Sequence, residues 1–83
     1  MKTEYPVSNL IFEKLRQYRE AANMSQTELA ARMQCLGIPL YQQAISKIER
    51  NRRYVLDYEL LGFCRVLHVR PENLMPKQRR IPD

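Results

Sequence analysis

The chain has 83 residues, which makes one domain, with a core burying only about 60–65% of the surface its unfolded form exposes and little room for a catalytic cleft. Fourteen lysines and arginines against nine acids give a net charge of +5, which favours an anionic partner: nucleic acid or an acidic membrane surface. The longest uncharged runs, such as Gln34 to Ser46, hold Pro39, Gln42 and Gln43 and fall far short of the ~20 apolar residues of a membrane span.

The opening residues carry Lys2 and Glu4 and lead into no apolar signal-peptide core, so a cytoplasmic location is expected. Ser8 is placed to cap a first helix, with Val7 outside it and Phe12 inside. Ile11, Leu15, Tyr18 and Ala22 recur on one face, which predicts a helix over 8–22. Ser25-Gln26-Thr27-Glu28 has the pattern of a capping box, serine and glutamate each satisfying the other's exposed amide, with Met24 and Leu29 as a hydrophobic staple. Helix two follows, with Leu29, Met33 and Leu36 as its buried stripe, Ala30 as a small residue where another helix approaches, and Gly37 and Pro39 as its end.

Helical periodicity restarts over 42–50 through Ala44, Ile45 and Ile48, with Gln42, Gln43, Ser46, Lys47 and Arg50 on other faces. Tyr41 takes the cap position, although tyrosine supplies no good acceptor for the first-turn amides. Asn51-Arg52-Arg53-Tyr54 reads as an exposed basic loop. Asp57 is expected to cap a fourth helix over 57–68, with Leu56 and Leu61 as staple and Leu60, Cys64 and Leu67 as inner face. Val69-Arg70-Pro71 starts a short fifth helix, with proline at the favoured first position, Leu74 folding back on Val69, and Pro76 stopping it.

No stretch alternates apolar and polar residues for long, so the class is all-α, a compact five-helix domain over 8–75. The ends, 1–7 and 76–83, are expected to be flexible. The tail from Lys77 offers one apolar residue, Ile81, among charges and prolines, too little to order itself. Cys35 and Cys64 read as two buried thiols. Cys64 and His68 lie one helical turn apart, but a metal site needs three or four ligands and the chain has one histidine, so neither metal nor cofactor is expected. With that single imidazole, two glycines and no triad around Cys64, no enzyme is expected either.

Two short helices with a tight break between them, the second carrying exposed amides, hydroxyls and positive charge, match what the DNA major groove admits. Only three or four side chains near the N-terminus of such a helix reach base edges, and Gln42 and Gln43 stand there. A glutamine amide sets a donor beside an acceptor, the pattern of adenine N6 and N7, worth about 1–3 kcal/mol of discrimination. Lys47, Arg50, Arg52 and Arg53, on or just after the helix, suit phosphates, as do the flanking Tyr41 and Tyr54. Ten arginines against four lysines lean the same way, because the guanidinium fork grips phosphate or carboxylate bidentately.

Ser25 to Ala30, then Ala44-Ile45-Ser46-Lys47-Ile48-Glu49, then Leu67, Val69 and Pro71-Glu72-Asn73-Leu74 resemble, in order, the phage-repressor and Cro type of helix-turn-helix domain, also called the xenobiotic response element family. The resemblance spans about residues 8–75. It implies a lambda-repressor-like fold in which Gln26 meets phosphate through its side chain or amide, Gln42, Gln43, Ser46 and Lys47 contact bases and backbone, and Arg19 pairs with Glu49. The stretch from Gln34 to Leu40 is longer than the family's usual turn, which implies a longer helix two.

The expected function is therefore a small transcriptional regulator, a repressor, that binds double-stranded DNA as a homodimer, with helix five and the tail as contact surface and no small-molecule substrate. A protein-interaction module on the same scaffold, antitoxin- or anti-repressor-like and anchored by Tyr41, Tyr54 and Tyr58, is the alternative. Membrane binding is not expected, because the apolar faces are needed to pack the helices together.

Overall fold

Where each helix stops decides where the chain can turn, and four helices stop in the same way. The computed structural model describes residues 8–76 and gives α1 (Phe12–Ala21), α2 (Gln26–Cys35), α3 (Gln42–Glu49), α4 (Asp57–Leu67) and α5 (Pro71–Leu74), with no strand among the described residues. After α1 to α4 one residue enters the left-handed region: Asn23, Gly37, Asn51 and His68, at φ 56°, 84°, 60° and 57°. The next amide then reaches back five residues: Met24 to Arg19, Ile38 to Met33, Arg52 to Lys47 and Val69 to Cys64, at 2.8–3.1 Å. These bonds satisfy carbonyls that a helix end leaves open, and glycine and asparagine tolerate the conformation best.

The core is one cluster in which Leu15, Leu29, Met33, Ile45, Ile48, Phe63 and Leu74 are fully buried. α3 packs on α1 and α2, whereas α4 packs on α1, α2 and α5. α2 and α4 approach closely at Gly62, where a Cβ would fall 2.5 Å from Ile38 Cδ1 and 2.8 Å from Met33 Cε. Ser25 caps α2 as expected, its Oγ accepting from the Glu28 amide at 3.0 Å, and Met24 and Leu29 are both buried beside it. The reciprocal half of the capping box is missing, because the Glu28 carboxylate turns to Arg32 at 3.1 Å, one turn along the helix.

Several boundaries and faces differ from the sequence reading. Ser8 does not cap α1, which starts four residues after it. The buried Asn9 sets the entry, its Oδ1 accepting from the Ile11 amide at 2.9 Å. Ala22 is exposed beyond the end of α1. Leu36 is 43% exposed, since α2 ends before it and the chain turns at Gly37, and Cys35 is exposed where a buried thiol was expected. Cys64 is buried, and burial, helped by the charge of Glu72, raises its thiol pKa above the ordinary value and keeps it inert.

α4 differs most. Leu56, not Asp57, takes the cap position, and the Glu59 carboxylate closes the turn by accepting from the Leu56 amide at 2.9 Å. The Leu56–Leu61 staple does not form, and Leu61 stays 60% exposed. Glu59, Gly62, Phe63 and Cys64 make the buried face, with Leu60 and Leu67 half-buried beside it. Pro71 opens α5 as expected and Leu74 is fully buried. Among the described residues no helix is long and apolar enough to cross a membrane. Of the ends expected to be flexible, 1–7 and 77–83 lie outside the described residues, as does Val7 of the first staple.

Asn51 does more than end α3. Its Oδ1 accepts from the Ser8 and Asn9 amides at 2.8 and 3.3 Å, while Asn9 Nδ2 donates to the Ile48 and Arg53 carbonyls at 3.1 and 2.9 Å. This clasp ties the entry of α1 to the exit of α3. Asn51→Gly keeps the backbone freedom and loses the side-chain bonds, whereas Asn51→Ala also forces alanine into the left-handed region. The alanine variant should therefore lose about 1–2 kcal/mol more in urea unfolding than the glycine variant.

Arg53 and Glu59, six residues apart, form a bidentate pair at 3.0 and 3.1 Å, with the Glu59 side chain 4% exposed. Burial pushes the Glu59 pKa up, but the bonds from Arg53 and the Leu56 amide and the charge of Arg53 outweigh it and leave it below the ordinary value. A carboxyl depressed in the folded state stabilises fully above its unfolded pKa, about 4.3, and loses that stabilisation as pH falls through the lower folded value. Unfolding free energies measured from about pH 6 downwards should fall less steeply below about pH 4 in Glu59→Gln than in the parent chain.

Candidate nucleic-acid interface

α3 is eight residues long, about 12 Å, and is anchored from below by Ile45 and Ile48, both fully buried. Gln43, Lys47 and Arg50 are exposed on it, and Gln42 and Ser46 are half-buried. Tyr41 occupies the cap with no side-chain hydrogen bond to the first turn, as expected, and stands 60% exposed. The first-turn amides of α3 therefore lack a side-chain cap, which suits the helix end to an anionic partner. The turn before it is closed by Leu40, 2% exposed, and by Gln34, whose Nε2 donates to the Leu40 carbonyl at 2.9 Å. α2 ends at Cys35, so most of the Gln34 to Leu40 stretch does not lengthen helix two but forms the connection to Tyr41, and α3 stays anchored.

The side chains that orient this surface are linked in series. Arg19 Nε and Nη2 donate to the two Glu49 oxygens at 2.6 and 3.0 Å, and Arg19 Nη1 donates to the Met24 carbonyl at 2.7 Å. Gln26 Nε2 donates to Glu49 Oε1 at 3.0 Å, and Gln42 Nε2 donates to Gln26 Oε1 at 2.8 Å. The polarity of this series has one solution. Both Glu49 oxygens accept from Arg19, so Gln26 turns its amide nitrogen towards this carboxylate. Gln26 then offers its oxygen to Gln42, and Gln42 must present its own nitrogen. The orientation of the Gln42 amide is thus set, through Gln26, by the charge pair that joins α1 to α3.

Arg19 and Glu49 are the pair implied by the family resemblance, with side chains only 10% and 3% exposed. The hydrogen bond to Glu49 raises the Arg19 pKa above its ordinary value against the opposing effect of burial. Among the described residues no buried side-chain nitrogen or oxygen lacks a partner. Gln26, expected at phosphate, sits between Glu49 and Gln42 and has one amide hydrogen left over. Arg52 and Tyr54 are exposed beyond α3. Arg53, also expected at phosphate, is engaged by Glu59 and by the Tyr54 carbonyl at 2.9 Å, so its charge is already matched. The sequence reading missed the Gln26–Gln42 link, the Asn9–Asn51 clasp and the Arg53–Glu59 pair. Asparagine at the left-handed position after α3 was a readable signal for the clasp.

The helix-turn-helix profile matches residues 15–74. The chain belongs to the phage-repressor and Cro-type helix-turn-helix family. No curated protein sequence matches it. The restriction-modification controller protein C.AhdI from Aeromonas hydrophila is similar in structure, at 26% identity and a TM-score of 0.68, over 78% of this chain and 87% of that one. The DNA-binding domain of BldD matches at 22% identity and a TM-score of 0.70, over 92% of this chain and 100% of that one. Hydroxypropylphosphonic acid epoxidase from S. wedmorenis matches at 21% and 0.70, but this chain, through 84% of its own length, spans only 35% of that enzyme's. The last two likenesses concern the fold alone.

Removing one member of a buried charge pair strands the other, at a cost of about 3–5 kcal/mol. Glu49→Ala should lower the unfolding free energy by about that amount, and the double variant Arg19→Ala/Glu49→Ala should lose less than the sum of the two single variants, as read by urea denaturation.

Proposed function

We propose that the chain is a sequence-specific double-stranded-DNA-binding transcription regulator, non-catalytic and acting as a repressor, with α3 in the major groove. The observation that carries this reading is the fixed Gln42 amide. Having given one hydrogen to Gln26, Gln42 keeps a second hydrogen and its own oxygen, adjacent and pre-oriented, the complement of adenine N7 and N6. Gln43, Ser46 and Lys47 contact neighbouring base edges. Tyr41, the spare Gln26 amide hydrogen, Arg50, Arg52 and Tyr54 hold the phosphates on either side. Arg53 is left out of this set because Glu59 neutralises it.

Family membership supports DNA as the partner, and the controller protein supports a regulatory role. A single eight-residue helix reads only half a site, so two copies bind together, their α3 helices about 34 Å apart on one face of the duplex.

Selection of bound sequences from random DNA tests the assignment. Gln42→Ala should lose preference at one base pair, weakening binding to the selected site by about 1–3 kcal/mol, and Gln26→Ala should blur preference at that same pair without touching it. The three cations at the end of α3 without a carboxylate partner, Lys47, Arg50 and Arg52, predict a log–log salt slope of about −3 per subunit. Unchanged base preference in Gln42→Ala, or binding indifferent to salt, overturns the reading.

A further inference from the structure

Two glutamines stand side by side at the start of α3 and differ in freedom. Gln43 is exposed and makes no side-chain hydrogen bond among the described residues, so its amide turns freely. Gln42 is half-buried, and its Nε2 donates to Gln26 Oε1 at 2.8 Å, while Gln26 Nε2 donates in turn to Glu49 Oε1 at 3.0 Å. The Gln42 oxygen accepts no hydrogen bond among the described residues. To turn that oxygen over, or to swing the amide aside, Gln42 has to break its bond to Gln26 and leave the Gln26 oxygen without this donor. A free amide rotates without that loss.

An edge held in this way is demanding about the group it meets. Adenine shows the major groove an acceptor, N7, and one N6 hydrogen, the other N6 hydrogen being taken by thymine in the base pair. The Gln42 oxygen needs the hydrogen on the groove side. A methyl group on N6 removes it, because pairing keeps the remaining hydrogen on the thymine side and turns the methyl into the groove beside N7. The Gln42 oxygen then faces a methyl carbon in place of a donor, and it withdraws only by breaking the bond to Gln26.

We propose that the chain discriminates against N6-methyladenine at the base pair read by Gln42, so that adenine methylation of the site controls binding. The discrimination rests on the base-reading role of Gln42. It adds that the bond to Gln26 is what makes this one adenine a methylation sensor, since Gln43 has no such bond and accommodates the same methyl by turning away.

Fluorescence anisotropy with duplexes of the selected site tests this, the adenine being the one whose preference Gln42→Ala loses. A single N6-methyladenine there should weaken binding of the parent chain by about tenfold or more. The same methyl on an adenine in the flanking duplex, where contacts are to phosphate, should change binding by less than about twofold. Gln42→Ala should bind the methylated and unmethylated sites alike. Gln26→Ala frees the amide, so the ratio between the two sites should shrink several-fold even though binding to both is weaker, with circular dichroism confirming that each variant is folded.

Equal binding of both duplexes by the parent chain, a ratio that survives in Gln42→Ala, or one left at full size in Gln26→Ala overturns the proposal, while base reading by Gln42 stands as long as Gln42→Ala loses preference at one pair. Unchanged base preference in Gln42→Ala, or a pair without adenine at that position, overturns the adenine reading and the methyl discrimination together.

Discussion

The Glu49 carboxylate is the anion around which the start of α2 and both ends of α3 are arranged. It is buried and accepts two hydrogen bonds from Arg19 and one from Gln26, so α1, α2 and α3 meet at a single acid. A buried charge of this kind contributes little net stability, since desolvation offsets most of the attraction, but it is costly to leave unpaired. What it confers is direction. Because a carboxylate cannot donate, it fixes the sense of Gln26, and Gln26 fixes the sense of Gln42. An amide free in solvent would present either edge, and this one presents a single edge.

The elements most legible in the sequence were those governed by local chemistry. Ser25 before Thr27-Glu28, Gly37 after α2 and Pro71 at the head of α5 act within a turn of themselves, and each is where it was expected. The spacing of Ile45 and Ile48 gave α3 almost to the residue. The misassigned caps of α1 and α4 share a cause: a short polar residue, Ser8 or Asp57, stood at a plausible cap, while the amide was satisfied by another side chain, either Asn9, held by Ile48 and Arg53 far along the chain, or Glu59, held by the nearby Arg53. Likewise Leu36, Leu56 and Leu61 continue apolar periodicities that tertiary packing does not use. Contacts separated by 30 or more residues, such as the Asn9 side-chain amide on the Ile48 carbonyl, leave no periodic trace. Arg19 with Glu49 was available only through family resemblance.

The same pairs redistribute the positive charge. Arg19 and Arg53 are matched by Glu49 and Glu59, and Arg16, Arg32 and Arg70 lie beside glutamates on the surface. Among the described residues around α3 the cations left unengaged by carboxylates are Lys47, Arg50 and Arg52, gathered at one end of the helix. The net charge of the chain thus understates how local its attraction for an anion is.

α3 is held at both ends by residues that do not belong to its outward face: Leu40 and Gln34 where it begins, Asn51 and Asn9 where it ends. Gln43 and Lys47 make no hydrogen bond within the described residues through their side chains, and Arg50 touches only a carbonyl of its own helix. These positions answer to nothing in the interior, so they can be exchanged together as a cartridge while the frame stays put. Gln42 is different, because altering it breaks a link in the frame. The frame thereby leaves Gln43, Lys47 and Arg50 replaceable without disturbing the packing, whereas a change at Gln42 breaks its bond to Gln26.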